Sequence, residues 1–131
     1  MILDTDFFVS LEADEPIAVE VAAELEASGV PTRIPTTVSQ ELYLNVGAGD
    51  LPHDNARKYE PLIENKPVVD LDANISRRAG VLGGQHLASD SKPALGPADA
   101  IVAATGLTLN EPVVTSDGHF ESVDGLSVNL Y

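Results

Sequence analysis

Four acids, Asp4, Glu41, Asp99 and Asp117, each stand beside an expected strand end or helix start. In a parallel α/β domain those places share one rim of the sheet, so residues remote in sequence can close on a single site. Two carboxylates about 4 Å apart repel by roughly 4 kcal/mol at an effective dielectric of about 20. A cluster of them therefore takes up protons, loosens or binds a cation. Oxygen ligands without histidine or thiolate favour Mg²⁺ or Mn²⁺ over zinc. The reaction that suits such ligands best is phosphodiester hydrolysis. There the metal activates a bound water and offsets charge on the attacked phosphate, with a second ion near the leaving oxygen if two are held. Any one of these acids could instead serve only a helix N-terminus, worth about 0.3 to 1 kcal/mol. The weight lies on the set of four.

The elements that must position them can be read along the chain. Ile2 to Asp4 is a short apolar strand, and Thr5 to Glu12 turns helical with Phe7, Phe8 and Leu11 on one stripe. Pro16 to Ala27 carries Ile17, Val21 and Leu25 every four residues, and Ser28-Gly29 stops that helix. Pro31 to Pro35 is a brief second strand. Thr37-Val38-Ser39-Gln40 then has the form of a capping box, which puts Glu41 just inside a helix start. Gly47, Gly49 and Pro52 break the chain before a helix from about Asp54 to Glu64, and Pro67 to Leu71 forms a third strand. A long helix spans about Ala73 to Ala88, weakened by Gly80, Gly83 and Gly84 at about 1 kcal/mol each. Ser89 to Gly96 is a loop. Pro97 opens the next helix and places Asp99 in its first turn. Val113 to Thr115 is a fourth strand ending just before Asp117, and Leu126 to Leu130 a fifth. Alternating strands and helices indicate an α/β fold: one domain over residues 1–131, with a central parallel sheet of about five strands and helices on both faces.

Composition narrows the choice. With 131 residues, 44% of them apolar, the chain suits one domain that buries a real core, and no apolar run reaches the roughly 20 residues of a membrane-spanning helix. The opening MILDTDFF reads as a core strand and lacks the basic start of a signal peptide, so a cytoplasmic location is the expectation. Absence of cysteine excludes disulfides, a thiolate nucleophile and cysteine-type zinc sites. His53, His86 and His119 show no metal spacing and read as surface or loop residues. With 21 acids against seven bases, the net charge of −14 repels nucleic acid at low salt. Few lysines and many acids suit a salt-loving host, where a Debye length of about 3 Å near 1 M salt removes that repulsion.

These residues resemble a known family. MILDTDFF, Gln40-Glu41-Leu42, the run from Pro97-Ala98-Asp99 to Ala104, and Val114 to Phe120 around Asp117 look like the four acidic motifs of PIN-domain nucleases, in order along the whole chain. The compact chain is most similar to VapC-type toxins of toxin–antitoxin pairs, which are Mg²⁺- or Mn²⁺-dependent endoribonucleases. The resemblance implies that Asp4, Glu41, Asp99 and Asp117 bind metal. It also implies an RNA substrate, a small antitoxin partner and a homodimer. Thr5, Thr115 and Ser116 match polar positions beside the first and fourth acids. Asp6 departs from the pattern, where Ser or Asn is commoner. Arg57, Lys58, Arg77 and Arg78 are the main candidates for holding RNA phosphates, and equally read as solvated helix faces.

Two other classes compete. A phospho-receiver would use Asp4, Asp6 and Asp70, and a DxD phosphatase would use Asp4-Thr5-Asp6, but both need a late lysine and the last one is Lys92. A non-catalytic or partner-regulated binding module on the same fold is the third reading, and four intact acids argue against it. The salt hypothesis predicts that resistance to unfolding rises steeply with KCl. Equal stability in dilute buffer and molar KCl would contradict it.

Overall fold

The computed structural model describes residues 1–131 except for the side chain of Pro52. Five short strands and six helices alternate: β1 Ile2–Leu3, α1 Thr5–Glu12, α2 Pro16–Ser28, β2 Ile34–Pro35, α3 Thr36–Ala48, α4 Pro52–Ile63, β3 Val68–Val69, α5 Ala73–Leu87, α6 Pro97–Leu109, β4 Val113–Thr115 and β5 Val128–Leu130. A single 3-10 turn, Gly118–Ser122, lies between β4 and β5.

All pairings are parallel. β1, β4 and β5 form one sheet in the order β1-β4-β5, and β2 pairs with β3 in a second. A bridge between Ile2 and Arg33 joins the two, with Leu3 N donating to the Arg33 carbonyl at 2.9 Å. β1 thus sits between β2 on one side and β4 on the other. The chain leaves β1 and β2 into helices, and the crevice at their carboxyl ends is where such folds bind ligands.

The core explains why the strands are so apolar. Ile2, Leu3, Phe7, Phe8, Ile34, Val38, Leu42, Val102, Val113, Val114 and Phe120 are essentially sealed from solvent. Strands buried on both faces read as continuous apolar runs, as these do. α6 is buried on two sides: Val102 and Ala103 pack with the sheet residues, and Ala100 and Ala104 pack against Ile75 and Ala79 of α5. At Gly106 an added Cβ would stand 2.9 Å from Leu126 Cδ1 and 3.0 Å from both the Glu111 carbonyl and Val113 Cγ2.

Several expected boundaries shift. The capping box at Thr37 to Gln40 does not form. α3 begins at Thr36 behind Pro35, with no side-chain cap, so Glu41 lies in the second turn. A proline N-cap with its fixed extended-side geometry starts the helix without a side-chain acceptor. The second and third strands are only two residues long, and Arg33 ahead of β2 makes a single bridge to Ile2. α5 runs unbroken through Gly80, Gly83 and Gly84 because packing of Ile75, Ala79 and His86 outweighs local propensity. Gly29 does end α2, at φ 65°.

Two glycines with opposite surroundings make a test. Gly80→Ala, with open space around the new methyl, is expected to raise stability by about 0.5 to 1 kcal/mol. Gly106→Ala is expected to lower it by about 1 to 3 kcal/mol through overpacking. Chemical denaturation of both variants checks the signs. A neutral Gly106→Ala would show that α6 can move off the sheet.

Candidate functional site

Asp4 follows β1 directly. Its amide donates to the Val114 carbonyl at 3.2 Å, extending the β1–β4 ladder by one residue, and its carboxylate caps α1 by accepting from Thr5 N at 2.8 Å. The other oxygen accepts from the Thr115 hydroxyl at 2.8 Å. The same hydroxyl accepts from Asp117 N at 3.0 Å, so the buried Thr115 fastens the first acid to the backbone of the fourth. Asp117 in turn caps the 3-10 turn, accepting from His119 N at 2.8 Å, with His119 Nδ1 3.6 Å from the same oxygen.

Glu41 reaches the same rim from α3. Its Oε2 accepts from the Thr5 hydroxyl at 2.5 Å, which ties the second turn of α3 to the first residue of α1. Asp99 sits in the first turn of α6, half-buried, with its carboxylate turned toward the Gly96 backbone. Asp6, in the first turn of α1 and exposed, lies 3.5 Å from the Ser116 hydroxyl.

Electrostatics show that these groups share a neighbourhood. Burial pushes the Asp4 carboxyl up to about 7, against the hydrogen bonds from Thr115 and Thr5, and the charges of Asp6 and Asp99 push the same way. Asp99 is raised first by burial, then by Asp117, and further by Glu41 and Asp6. The charges acting on Asp4 and Asp99 are all carboxylates; no lysine or arginine offsets them. Asp4, Glu41, Asp99 and Asp117 thus lie along one rim, linked through Thr115, Thr5 and the charges acting on Asp99, while Asp70 is exposed at the end of β3, two strands away from Asp4.

An oxygen-only donor set with repelling charges suits a hard divalent cation. Among the described residues no group of three or more histidine or acidic side chains stands close enough together to hold a metal ion. Mg²⁺ keeps several waters and takes only one or two carboxylates directly, so the open arrangement fits it. Thr5 and Thr115 serve here by orienting carboxylates, which is how ligands are held in register.

The basic candidates fall elsewhere. Lys58 pairs with Glu12 at 3.0 Å and Arg78 reaches the Thr108 hydroxyl at 3.4 Å, while Arg57 and Arg77 form no ion pair among the described residues. His119 is exposed as expected, but His86 is not a surface residue: it is 2% exposed inside α5. It lies on the inward stripe with Ile75 and Ala79, and its Nδ1 hydrogen-bonds the Pro93 carbonyl at 2.9 Å, which offsets part of the cost of burial. One neighbour of the site escaped sequence reasoning altogether. Tyr131 packs edge-on against Phe7 with ring centres 5.7 Å apart, and its buried phenol is raised by burial and by the charges of Asp6 and Asp4. No local pattern signals this, because Tyr131 arrives through the pairing of β5 with β4.

The sequence matches the PIN domain family over residues 1–126. No curated protein matches significantly. Among solved structures, VapBC2 from Rickettsia felis, bound to a promoter DNA fragment, superposes with a TM-score of 0.86 at 20% identity, covering 99% of this chain and 97% of the other. DNA-bound VapBC from Salmonella typhimurium gives 0.84 at 19% identity, covering 98% and 95%. VapC20 from Mycobacterium tuberculosis, a sarcin-ricin-loop-cleaving toxin, gives 0.69 at 17% identity, covering 94% of each. At these identities the likeness is one of fold.

The raised carboxyl has a consequence for stability. Asp4 titrates at 3.8 when unfolded and at about 7 when folded, so between those values the folded protein holds more protons. Stability of the metal-free protein therefore falls as pH rises through this window, by up to about 4 kcal/mol from this group. Unfolding in chelator at pH 5 and pH 7.5 measures the slope, and Asp4→Asn is expected to flatten most of it. An unchanged slope in the variant would clear Asp4 of the effect.

Proposed function

This chain belongs to the PIN domain family, and we propose that it is a metal-dependent endoribonuclease, the toxin of a VapBC-type toxin–antitoxin pair. Asp4, Glu41, Asp99 and Asp117 hold Mg²⁺ or Mn²⁺ in this reading. The observation that carries it is the Thr115 link. One hydroxyl binds Asp4 and the Asp117 backbone together, in a rim where Asp99 feels both Asp117 and Glu41. A protein without use for that arrangement gains nothing from repelling charges held in a half-buried cleft.

A bound divalent ion lowers the pKa of a coordinated water and stabilises charge on the attacked phosphate. The chain's own residues supply the rest. Thr115 fixes Asp4 and Thr5 fixes Glu41, so that carboxylate oxygens are aimed before any ligand arrives. Burial of Asp4 keeps its remaining lone pairs out of bulk water. Asp99, at the start of α6, sits at the positive end of a helix, which favours its ionised form once cationic charge is near. Asp6 and Ser116 form the outer lip, and Arg57 and Arg77 are the free bases proposed to hold RNA phosphates.

RNA as substrate is supported by the sarcin-ricin-loop cleavage named for VapC20, and an antitoxin partner by the toxin–antitoxin complexes among the structural neighbours. We further propose that two copies pair as a homodimer and that the protein works in the cytoplasm; no helix among the described residues is long and apolar enough to cross a membrane. The receiver reading loses its basis, since the family match covers the same acids and Asp70 stands apart from them.

Cleavage of total RNA with Mn²⁺, with chelator and with Asp99→Asn tests the proposal. Wild type with Mn²⁺ is expected to cut at defined sites, and Asp99→Asn to lose at least about a hundredfold in rate, the scale of removing one transition-state contact. Mn²⁺ at about 100 times its dissociation constant is expected to stabilise the wild type by about 2.7 kcal/mol and the variant less. RNA binding without cleavage would favour the binding-module reading. Equal cutting by the variant would take Asp99 out of the catalytic set.

A further inference from the structure

A cavity of about 410 Å³ opens between α5 and the C-terminal part of α6, with Arg78, Gln85, His86, Ser89, Lys92 and Asp124 on its walls. It is a different place from the acidic rim. Leu107 also borders it, and Leu107 lies eight residues beyond Asp99, about 12 Å along the helix axis. Its volume is within the range of small-ligand sites.

We propose that this cavity binds a phosphate group. Seven lysines and arginines serve the whole chain, and two of them, Arg78 and Lys92, meet here. The Gln85 amide and the Ser89 hydroxyl add neutral donors to the same walls. His86 supplies an independent observation. Its ring is 2% exposed and lines the cavity, and its Nε2 has no hydrogen-bond partner among the described residues. Nδ1 faces the Pro93 carbonyl, which only accepts, so Nδ1 carries the hydrogen, and Nε2 stays sealed from solvent behind the cavity wall. A guanidinium and an ammonium on the facing walls select for the anion.

Asp124 defines how the site is closed in the absence of ligand. Its carboxylate lies 2.6 Å from Lys92 Nζ and its side chain is 92% exposed. The aspartate end of this pair already stands in solvent, which weakens it, so a stronger anion can replace it on Lys92. Asp124 acts as a tethered competitor for Lys92. The negative charge of the chain as a whole opposes long-range capture, so selection rests on these short contacts.

The test is a titration of the full chain with inorganic phosphate in chelator, at ionic strength held constant with KCl, followed by ¹H–¹⁵N NMR. The expected result is saturable shifts in residues 85–92 and 124–125, with the His86 ring nitrogens moving as well. Arg78→Ala and Lys92→Ala are expected to weaken binding about tenfold each, and Asp124→Asn to tighten it. All three positions are at the surface of the cavity, and far-UV circular dichroism confirms folding. No saturation at tens of millimolar phosphate, even with Asp124→Asn, would overturn the proposal, as would shifts that all three variants leave unchanged. A short RNA added to the phosphate-loaded protein distinguishes the source. Displacement of phosphate identifies a backbone phosphodiester as the natural occupant, and retention identifies a free phosphate or phosphate monoester. Because the readout is metal-free binding, loss of the nuclease reading leaves this experiment intact.

Discussion

One hydroxyl holds the candidate site together. Thr115 donates to Asp4 and accepts from the amide of Asp117, and it can do so only because it is the last residue of a strand paired alongside β1. Around it stand carboxylates from the start of α1, from α3, from α6 and from the turn after β4, and those that act on Asp99 raise it. Their repulsion is a standing cost. It is borne by the apolar layer beneath, where Ile2, Leu3, Phe7, Phe8, Val113 and Val114 are buried almost completely.

The sheet explains why acids so far apart in sequence meet. Parallel pairing sends the carboxyl ends of β1, β2 and β4 to one rim, and the helices that follow β1 and β2 begin there. α6 reaches the rim from the other direction in sequence, starting beside the site and running down to the turn before β4. Its small residues Ala100 and Ala104 seat it against α5, while Val102 and Ala103 join the core beneath the sheet. The β2–β3 pair sits outside this arrangement, joined to β1 by one bridge, and brings Asp70 to an edge where it serves no cluster.

Charge is distributed in two separate arrangements. The rim concentrates acids, while Arg78, Lys92 and the buried His86 gather about two helical turns along α6. Arg33 is engaged in a third place, sharing Glu111 with the N-terminal ammonium and holding that carboxylate below its usual range despite partial burial. In a chain of net charge −14, Arg33, Lys58 and Lys92 are each held in an ion pair.

Much of this was legible in the residue order. Apolar runs bounded by proline and glycine marked the parallel strands, Pro97 marked the start of α6, and the places of Asp4, Asp99 and Asp117 followed from strand ends and a helix start, because those are local properties of the chain. What escaped were features made by contact between distant segments. The capping box at Thr37 lost to the start imposed by Pro35, and α5 stayed whole through three glycines because α6 packs against it. His86 looked like a surface residue, since one polar side chain carries no sign of the carbonyl that will receive it. The threonine bridge, the seat of Tyr131 on Phe7 and the cavity beside α5 exist only after strands have paired and helices have packed. A sequence specifies which groups are available and roughly where each element begins, whereas distances between them are set by the one arrangement that buries the apolar faces together.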